Sequence, residues 1–319
     1  MVINDQARRS LYAAIFYGVC SGSMNFLNKL VLSSWHFPSP NFLMLAQMIV
    51  LSVGIDTLKA LGKCKAVDYT WAHGRSCLVL SFFFAINTVI ALFALNGMNI
   101  PMYNAMRRCV PIANLLLGVV FLRVRPSRGI TLSVLTITAG TLVAAFGDLN
   151  FDSTAYTFGV ISVISNAAYL TTLQKTGMEK NLGAISIAYI NSINCMPVMT
   201  LVLFITGDIP KIVAYPHWSS SSFIFSFLAV IFSGCIFTYS MFLCTTVNSA
   251  LTTSCVSVLK SAFTTWIGMY TFGGVQPTFF FLLGQVINFT GGCMYTLVKY
   301  RNSRAKKILS SEQKTQAVP

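Results

Sequence analysis

The sequence predicts an all-α membrane protein of ten transmembrane helices, arranged as two inverted five-helix repeats with both termini in the cytosol. Three observations predict this fold class. The 319 residues are 55% hydrophobic and only 9% charged, with a mean hydropathy of +0.69, which is too apolar for a soluble domain. Apolar segments of spanning length recur along the chain. The basic residues are concentrated in alternate connections between those segments.

Ten apolar segments come close to the roughly 20 residues that a spanning helix needs. They cover residues 11–32, 40–61, 77–96, 101–122, 129–147, 155–173, 185–206, 222–245, 248–271 and 277–298. The first has polar residues at its centre, among them Ser23 and Asn25, and no small-residue cleavage site follows it. We therefore expect it to stay in the mature protein rather than act as a signal peptide.

The Lys and Arg residues assign the two sides of the membrane. Of these 22 residues, seventeen fall at the termini or in one set of alternate connections, counting Lys59 at the end of segment 40–61 with the connection that follows it. One falls in the other set, and four others fall inside apolar segments. The positive-inside rule then places residues 1–10 and the basic tail, residues 299–319, in the cytosol. Membrane topology thus explains the net charge of +14. The expected surroundings are a lipid bilayer, and no nucleic-acid partner is predicted.

Residues 11–147 and 155–298 form the two predicted repeats. Shifting the second half back by about 151 to 153 positions places Lys260 on Arg108 and Gly291 on Gly140. Because five is an odd number of helices, the second repeat enters the membrane from the opposite side, which makes the repeats inverted. Transporters built in this way bind substrate near the membrane midplane, between the repeats.

Apart from Lys59, which is counted with the connection after segment 40–61, the cations inside apolar segments are Arg107, Arg108, Lys260 and Lys29. A cation at the bilayer centre costs roughly 2.5 to 3.5 kcal/mol on insertion scales, so it normally faces a polar cavity or a partner. All acidic residues except Asp56 fall outside these segments, so we expect an anionic ligand to bind the cations, first of all Arg107 and Lys260. The alternative is snorkelling to lipid headgroups, which suits Lys29 equally well.

Polar residues in the seventh segment form a second candidate site. Tyr189, Asn191 and Ser192 combine a stacking face with amide and hydroxyl groups that match the edge of a nucleobase. Alternatively, these groups connect neighbouring helices. Asp56, the one intramembrane carboxylate, is expected to pair with Lys59 three residues on, so no proton or sodium relay is predicted.

The ninth segment opens with small and hydroxylated residues, including Ser249, Thr252 and Thr253. Such residues permit close helix packing, and their hydroxyls also bind phosphate or ribose. Tyr103 lies four residues before Arg107, on the same helical face, and is counted with the base- and sugar-binding candidates.

The chain lacks the residue patterns of an enzyme or a metalloprotein. It has no paired carboxylates inside the membrane, no metal-ligand cluster and no Ser/His arrangement, because its three histidines all fall in connections. No enzymatic activity, metal or cofactor is therefore predicted.

Three stretches carry a resemblance to a known family. They are residues 99–108, which read NIPMYNAMRR, residues 248–260, which read NSALTTSCVSVLK, and Gly147-Asp148. The chain resembles the nucleotide-sugar transporters of solute carrier family 35, closest to subfamily D, over nearly its whole length. The resemblance implies a drug/metabolite-transporter fold in Golgi or endoplasmic reticulum membranes, exchanging a cytosolic nucleotide sugar for a lumenal nucleoside monophosphate. It also implies that Arg107 and a basic residue of the ninth helix face the phosphates, while the motif around Tyr189 recognises the base.

Two departures from the family pattern narrow the substrate. Carriers of GDP-mannose have Gly-Ala-Leu-Asn-Lys in the ninth helix, whereas residues 249–253 here read Ser-Ala-Leu-Thr-Thr. This disfavours a guanine nucleotide and leaves Lys260 as the phosphate cation of that helix. In the seventh helix, Ile190 replaces the second aromatic residue of the subfamily's Tyr-Tyr-Asn.

The resemblance therefore predicts a UDP-sugar and UMP as exchanged ligands, with an N-acetylhexosamine or glucuronic acid as the sugar. Two alternatives are an exchanger of another phosphorylated metabolite and a non-transporting membrane adaptor with the same fold. Whether the chain forms a homodimer is left open.

Overall fold

The computed structural model describes residues 2–97, 106–145, 153–180, 182–272 and 278–316, and in these ranges the chain is helical without β-strands. The long helices, of 13 residues or more, are α1 Val2–Lys29, α2 Pro40–Ala60, α4 Leu78–Gly97, α5 Val110–Leu122, α6 Arg128–Ala145, α7 Ser153–Lys180, α8 Ala184–Ile205, α10 Ser221–Val247, α11 Ala250–Phe272 and α12 Phe279–Gln316. Two short helices that the apolar pattern did not predict are α3 Trp71–Ser76 and α9 Asp208–Val213.

Each of the ten long helices overlaps one predicted apolar segment. Within the described residues, α2, α8, α10 and the Phe279–Asn302 part of α12 are long and apolar enough, by length and composition, to cross a membrane. These observations agree with the predicted class, an all-helical membrane protein.

Local sequence explains where several helices begin and end. Ser39 caps α2, because its Oγ accepts a hydrogen bond from the Phe42 backbone N–H at 3.2 Å, and Pro40 follows at the first helical position. Thr70 caps α3 in the same way, with a contact of 3.3 Å to the His73 N–H. The C-terminal end of α1 continues beyond Lys29 as a π-helical turn over Leu30–Ser34.

The long helices pack in a pattern that repeats between the two halves of the chain. α2 packs along α8, and α6 packs along α12. α4 packs against α7 as α1 packs against α10, and α5 packs against α7 as α1 packs against α11. The helices of the first half therefore pack mainly on helices of the second half.

Glycines allow α6 and α12 to approach at backbone distance. A Cβ at Gly140 would lie 2.7 Å from the Asn288 backbone nitrogen, and one at Gly284 would lie 2.5 Å from the Gly140 carbonyl oxygen. A Cβ at Gly291 would lie 2.8 Å from the Ile137 backbone nitrogen. Gly140 and Gly291, which the sequence comparison aligned, thus belong to the same interface between the halves.

An aromatic cluster covers one end of the helical body. The Phe37 ring meets Tyr215 edge-on at 5.2 Å between centroids, and Tyr215 lies 4.9 Å from Phe223. Trp218 packs on Phe227 at 5.3 Å, and its indole N–H donates to a backbone carbonyl. These contacts hold the short segment between α8 and α10 against the start of α2.

Candidate functional site

Lys260 lies on α11 where that helix packs against α1. Its ammonium donates a hydrogen bond to Ser21 Oγ at 2.8 Å, and α1 presents Gly22 to it, with a Cβ position 3.7 Å from Lys260 Cγ. Lys260 is half-buried, and among the side chains that the structure describes no carboxylate lies within ion-pair distance of it. A neutral hydroxyl therefore holds the ammonium where an anion would bind more strongly.

The two arginines lie just before α5 and differ in their environment. Arg108 is buried, and its Nε donates to Ser261 Oγ at 3.3 Å, on the residue that follows Lys260. Arg107 is exposed, yet it is close enough to Lys260 and Tyr17 for its charge to act on both. Cations of the fourth and ninth predicted segments are thus brought together at the contact of α5, α11 and α1.

Tyr17 stands beside these cations, and a second buried tyrosine, Tyr169, lies near Tyr17; each packs against a phenylalanine. Tyr17 on α1 stacks with Phe237 at 6.0 Å between ring centroids. Tyr169 on α7 packs on the edge of Phe84 at 5.4 Å. Tyr17 lies beside Ser21, the partner of Lys260, and is close enough to Tyr169 for the two to interact electrostatically.

The sequence held a signal for this pair that motif reasoning missed. Tyr17 and Tyr169 are 152 positions apart, as are Arg108 and Lys260. The Tyr169 hydroxyl is buried and has no hydrogen-bond partner among the described residues. A buried hydroxyl without a partner is costly for folding and is common where a ligand supplies the partner.

Comparison with known proteins identifies the family. The chain matches the family described as Triose-phosphate Transporter family over residues 8–296. The chain belongs to the triose-phosphate transporter family. It is 35% identical to UDP-galactose/UDP-glucose transporter 7 of Arabidopsis thaliana, with 94% of each chain covered. It is 30% identical to UDP-N-acetylglucosamine transporter UGNT1 of Arabidopsis thaliana, covering 92% of this chain and 88% of that one.

A human relative and a solved structure extend the comparison. The chain is 29% identical to human nucleotide sugar transporter SLC35D2, over 95% of its own length and 90% of the relative. One crystal structure matches with a TM-score of 0.64 at 12% identity, covering 93% of this chain and 98% of that chain, and this likeness concerns the fold alone. The resemblance to subfamily D of solute carrier family 35 is confirmed, and the chain is a member of a transporter family rather than an enzyme.

In this family member the polar residues of α8 have partners on neighbouring elements. The Tyr189 hydroxyl donates to Asp56 at 2.7 Å, and the ammonium of Lys59 lies 3.9 Å from the Tyr189 ring centroid. Asn191 accepts a hydrogen bond from Ser81 on α4 at 3.1 Å. The expected ion pair between Lys59 and Asp56 is present at 3.1 Å.

Two further polar residues of α8, Ser192 and Asn194, are buried or hydrogen-bonded. Ser192 is buried, and Asn194 accepts a hydrogen bond from Tyr69 at 2.9 Å while donating to the Gly74 carbonyl at 3.0 Å. Helix connection, the alternative interpretation of this motif, accounts for the contacts of Tyr189, Asn191 and Asn194 with neighbouring elements. A base-binding role for these residues stays a prediction.

The hydroxyl residues at the start of α11 form a compact polar group. Ser249 and Thr252 share a hydrogen bond at 2.8 Å, and Thr253 shares one with Thr245 on α10 at 2.9 Å. Thr252 also contacts Lys299 of α12, a cation that sequence reasoning had counted only as part of the basic tail.

The last two predicted site residues are Lys29 and Tyr103. Lys29 is exposed at the end of α1, just before the π-helical turn. Tyr103 lies outside the described residues, as does the family motif over residues 99–105 and Gly147-Asp148.

Proposed function

We propose that this transporter-family member is an antiporter that carries a UDP-sugar from the cytosol into the Golgi or endoplasmic reticulum lumen in exchange for UMP. The observation that carries the proposal is the Lys260 ammonium, held between α1 and α11 by the neutral hydroxyl of Ser21 beside two arginines. The names of the full-length relatives support the ligand class. Because those names include galactose, glucose and N-acetylglucosamine, we do not assign one sugar. The proposed candidates are these three sugars and glucuronic acid, each linked to UDP.

We further propose ten membrane spans in two inverted repeats with cytosolic termini. Equivalent contacts in the two halves support this topology. The Ser81 hydroxyl on α4 donates to Asn191 on α8 at 3.1 Å. In the contact related to it by the repeat, Gln47 on α2 lies against Gly234 on α10, where an added Cβ would meet the Gln47 amide. Ser81 and Gly234 are 153 positions apart and lie on the third helix of each repeat, α4 and α10. Gln47 and Asn191 are 144 positions apart and lie on the second helix of each repeat, α2 and α8. In both contacts the third helix of one repeat therefore packs on the second helix of the other.

The proposed transport mechanism follows from charge. The pyrophosphate of a UDP-sugar, negatively charged at neutral pH, pairs with Lys260 and Arg107 near the midplane, while Arg108 and Ser261 support the position of α11. When the site is empty, Lys260 has no carboxylate within ion-pair distance among the described side chains, so moving its charge through the membrane is costly. A bound UDP-sugar or UMP removes that cost, which gives exchange rather than leak. Thr252, Thr253 and Ser249 lie toward the end of α11 that we propose faces the cytosol.

The proposed base and sugar contacts divide into two groups. Tyr17 stands beside the phosphate cations and Tyr169 lies near Tyr17. The Tyr169 hydroxyl, which has no partner among the described residues, is suited to a sugar or ribose hydroxyl. Tyr189, Asn191 and Ser192 can reach a base only if the contacts to Asp56 and Ser81 open.

Exchange in reconstituted vesicles tests the function. Proteoliposomes preloaded with UMP are offered radiolabelled UDP-, GDP- and CMP-sugars. Proteoliposomes that contain the protein but no UMP are the control. We expect uptake of one or more UDP-sugars that depends on internal UMP. Uptake of none of them by folded protein would exclude this function and favour an adaptor with the same fold.

A second candidate function is exchange of a sugar phosphate for inorganic phosphate, which the name of the family favours. It uses the same cations but requires no base contact. Competition separates the two functions: UMP inhibits a nucleotide-sugar antiporter and inorganic phosphate does not, whereas a sugar-phosphate exchanger responds in the opposite way.

A further inference from the structure

Lys299 is a cation near the end of the apolar Phe279–Asn302 part of α12, and the proposed function has not used it. Its ammonium donates hydrogen bonds to Asn248 Oδ1 at 3.0 Å and to Thr252 Oγ1 at 2.5 Å. Tyr295, one turn earlier on α12, shares a hydrogen bond with the same Thr252 hydroxyl at 3.0 Å. We call Lys299, Asn248, Thr252 and Tyr295 the Lys299 cluster.

Among the described side chains, no carboxylate lies within ion-pair distance of the Lys299 ammonium. Lys299 is half-buried, and its hydrogen-bond acceptors are a neutral amide and a neutral hydroxyl. The ion pairs found among the described side chains use Asp56, Asp68, Glu179 and Asp208, and none of them includes Lys299. A half-buried ammonium of this kind has more to gain from a phosphate oxygen than from neutral acceptors.

The cluster lies on the same helix as the proposed substrate cation. Thr252 and Lys260 are eight residues apart on α11, which corresponds to about 12 Å along the helix axis. In the proposed topology, Thr252 is nearer the cytosol. An anion that arrives from that side therefore meets Lys299 before it reaches Lys260.

The cluster also links α1 to α11 and α12. Asn248 accepts a hydrogen bond from the Ser10 hydroxyl of α1 and donates to the Ser10 carbonyl at 3.0 Å. Ser10 and Lys299 thus bind the same Asn248 side-chain oxygen. A phosphate that draws the ammonium away from this oxygen weakens one of the links that hold α1, α11 and α12 together at this end.

We propose that Lys299 is a phosphate-binding residue at the cytosolic end of the pathway, which receives the nucleotide sugar before Lys260 does. This proposal rests on the proposed nucleotide-sugar exchange. It adds to the site a cation from α12, a helix that contributed none of the predicted ligand contacts.

The test measures initial uptake in sealed microsomal vesicles, whose cytosolic face is outward, as a function of external UDP-sugar. The probe is the UDP-sugar that wild-type protein takes up best. Lys299→Met removes the charge, Lys299→Gln removes it but keeps a hydrogen-bond donor, and Lys299→Arg keeps it. Arg301→Met is the matched control, since it removes one exposed cation two residues further along α12.

We expect Lys299→Met and Lys299→Gln to raise the KM roughly tenfold or more, because a hydrogen bond to a charged group is lost, with a maximal rate per folded protein close to that of wild type. Lys299→Arg and Arg301→Met keep a KM near wild type. In the same vesicles, inhibition by external UMP weakens by a similar factor for the neutral variants, whereas inhibition by uridine, which has no phosphate, does not change.

Two results would overturn the assignment while leaving the proposed function intact. One is a KM for Lys299→Gln equal to that of Arg301→Met. The other is a reduced maximal rate with unchanged KM, which is the result expected if Lys299 only holds helices together. If wild-type protein takes up no UDP-sugar, the proposed function fails and the role of Lys299 fails with it.

Discussion

Two lysines inside the helical body differ in what compensates their charge. Where α1 meets α11, Lys260 donates to the hydroxyl of Ser21 at 2.8 Å. Where α2 meets α8, Lys59 forms ion pairs with Asp56 at 3.1 Å and Asp68 at 3.2 Å, and it lies over the ring of Tyr189. The first lysine has no carboxylate within ion-pair distance among the described side chains, and the second has two.

This difference separates ligand binding from helix connection. A lysine with two carboxylates and an aromatic face already has its stabilising partners, so a ligand would have to displace them. A lysine held by one neutral hydroxyl gains from an incoming anion without losing an ion pair. The sequence alone ranks both regions as candidate sites, because it lists residue types and not their partners.

Neutralising each lysine is the strongest way to test this comparison. We expect Lys260→Met to reduce exchange about a hundredfold or more, because the bound pyrophosphate loses a charged partner and its neighbours remain desolvated. Lys59→Met should retain at least about half of wild-type exchange per folded protein, since it lies in the paired region. Uptake in UMP-loaded proteoliposomes gives both values, and normal exchange by Lys260→Met would remove the proposed mechanism.

Removing the Tyr169 hydroxyl sharpens the comparison on the ligand side. Because this buried hydroxyl has no partner among the described residues, we expect Tyr169→Phe to leave the melting temperature unchanged or higher. If a substrate hydroxyl is its partner, the KM rises several-fold, because the variant binds the substrate with one hydrogen bond fewer. Thermal melting and concentration-dependent uptake give the two values. A lower melting temperature with unchanged KM would show that the hydroxyl is structural.

Tyr189→Phe tests the region around Lys59, whose charge has carboxylate partners. It removes the hydroxyl that donates to Asp56 at 2.7 Å and keeps the ring that faces Lys59. We expect a loss of about 1 kcal/mol in unfolding free energy, with a KM within about twofold of wild type. Tyr300→Phe, at an exposed tyrosine, is the control. A KM raised about tenfold at unchanged stability would instead support base recognition by Tyr189.

The smallest expected effect is at Asp208, a carboxylate with its own partners outside the predicted spans. Burial raises the pKa of Asp208, but hydrogen bonds from Ser39, Lys211 and Asn41 outweigh it, so the pKa lies below its ordinary value. Because the pKa of Asp208 is lower in the folded state, its ionised carboxylate stabilises the protein at pH values above the unfolded pKa of about 3.9. This stabilisation is lost only as the pH falls through the folded pKa.

We therefore expect the melting temperature to depend on Asp208 equally at pH 7.5 and pH 5.5. Asp208→Asn should cost about 1 kcal/mol or less, because Lys211 is largely exposed and the amide still accepts from Ser39. Melting curves of both proteins at the two pH values provide the check. A difference between the proteins that disappears at pH 5.5 would show that the pKa is raised.

Particular residues show how far sequence reasoning reached. The ten apolar segments match the ten long helices of the described chain, and the alignment of Arg108 with Lys260 anticipated their neighbourhood, since Arg108 contacts Ser261. The pair of Asp56 and Lys59 was also predicted, because residues three apart on a helix are neighbours. Short helices such as α3 were missed, because six residues in a polar connection leave little apolar periodicity.

The site itself was predicted only in part. Lys299 was assigned to the basic cytosolic tail, yet it reaches Thr252, which is 47 positions away in the chain. Tyr17 and Tyr169 carried no motif, and their relation becomes visible only when the two halves are superposed. The hydroxyl and amide groups around Tyr189 were equally consistent with ligand binding and helix connection until their partners Asp56 and Ser81 were known.

The sequence by itself determined the membrane class, the helical segments, the intramembrane cations and the family resemblance. These depend on composition and on residues close together in the chain, since the free energy of placing a segment in lipid is a sum over its own residues. Only the tertiary structure decided which cations have carboxylate partners and which meet one another. Those contacts depend on how helices from the two halves rotate and pack, and packing joins residues whose separation in sequence exceeds any local pattern.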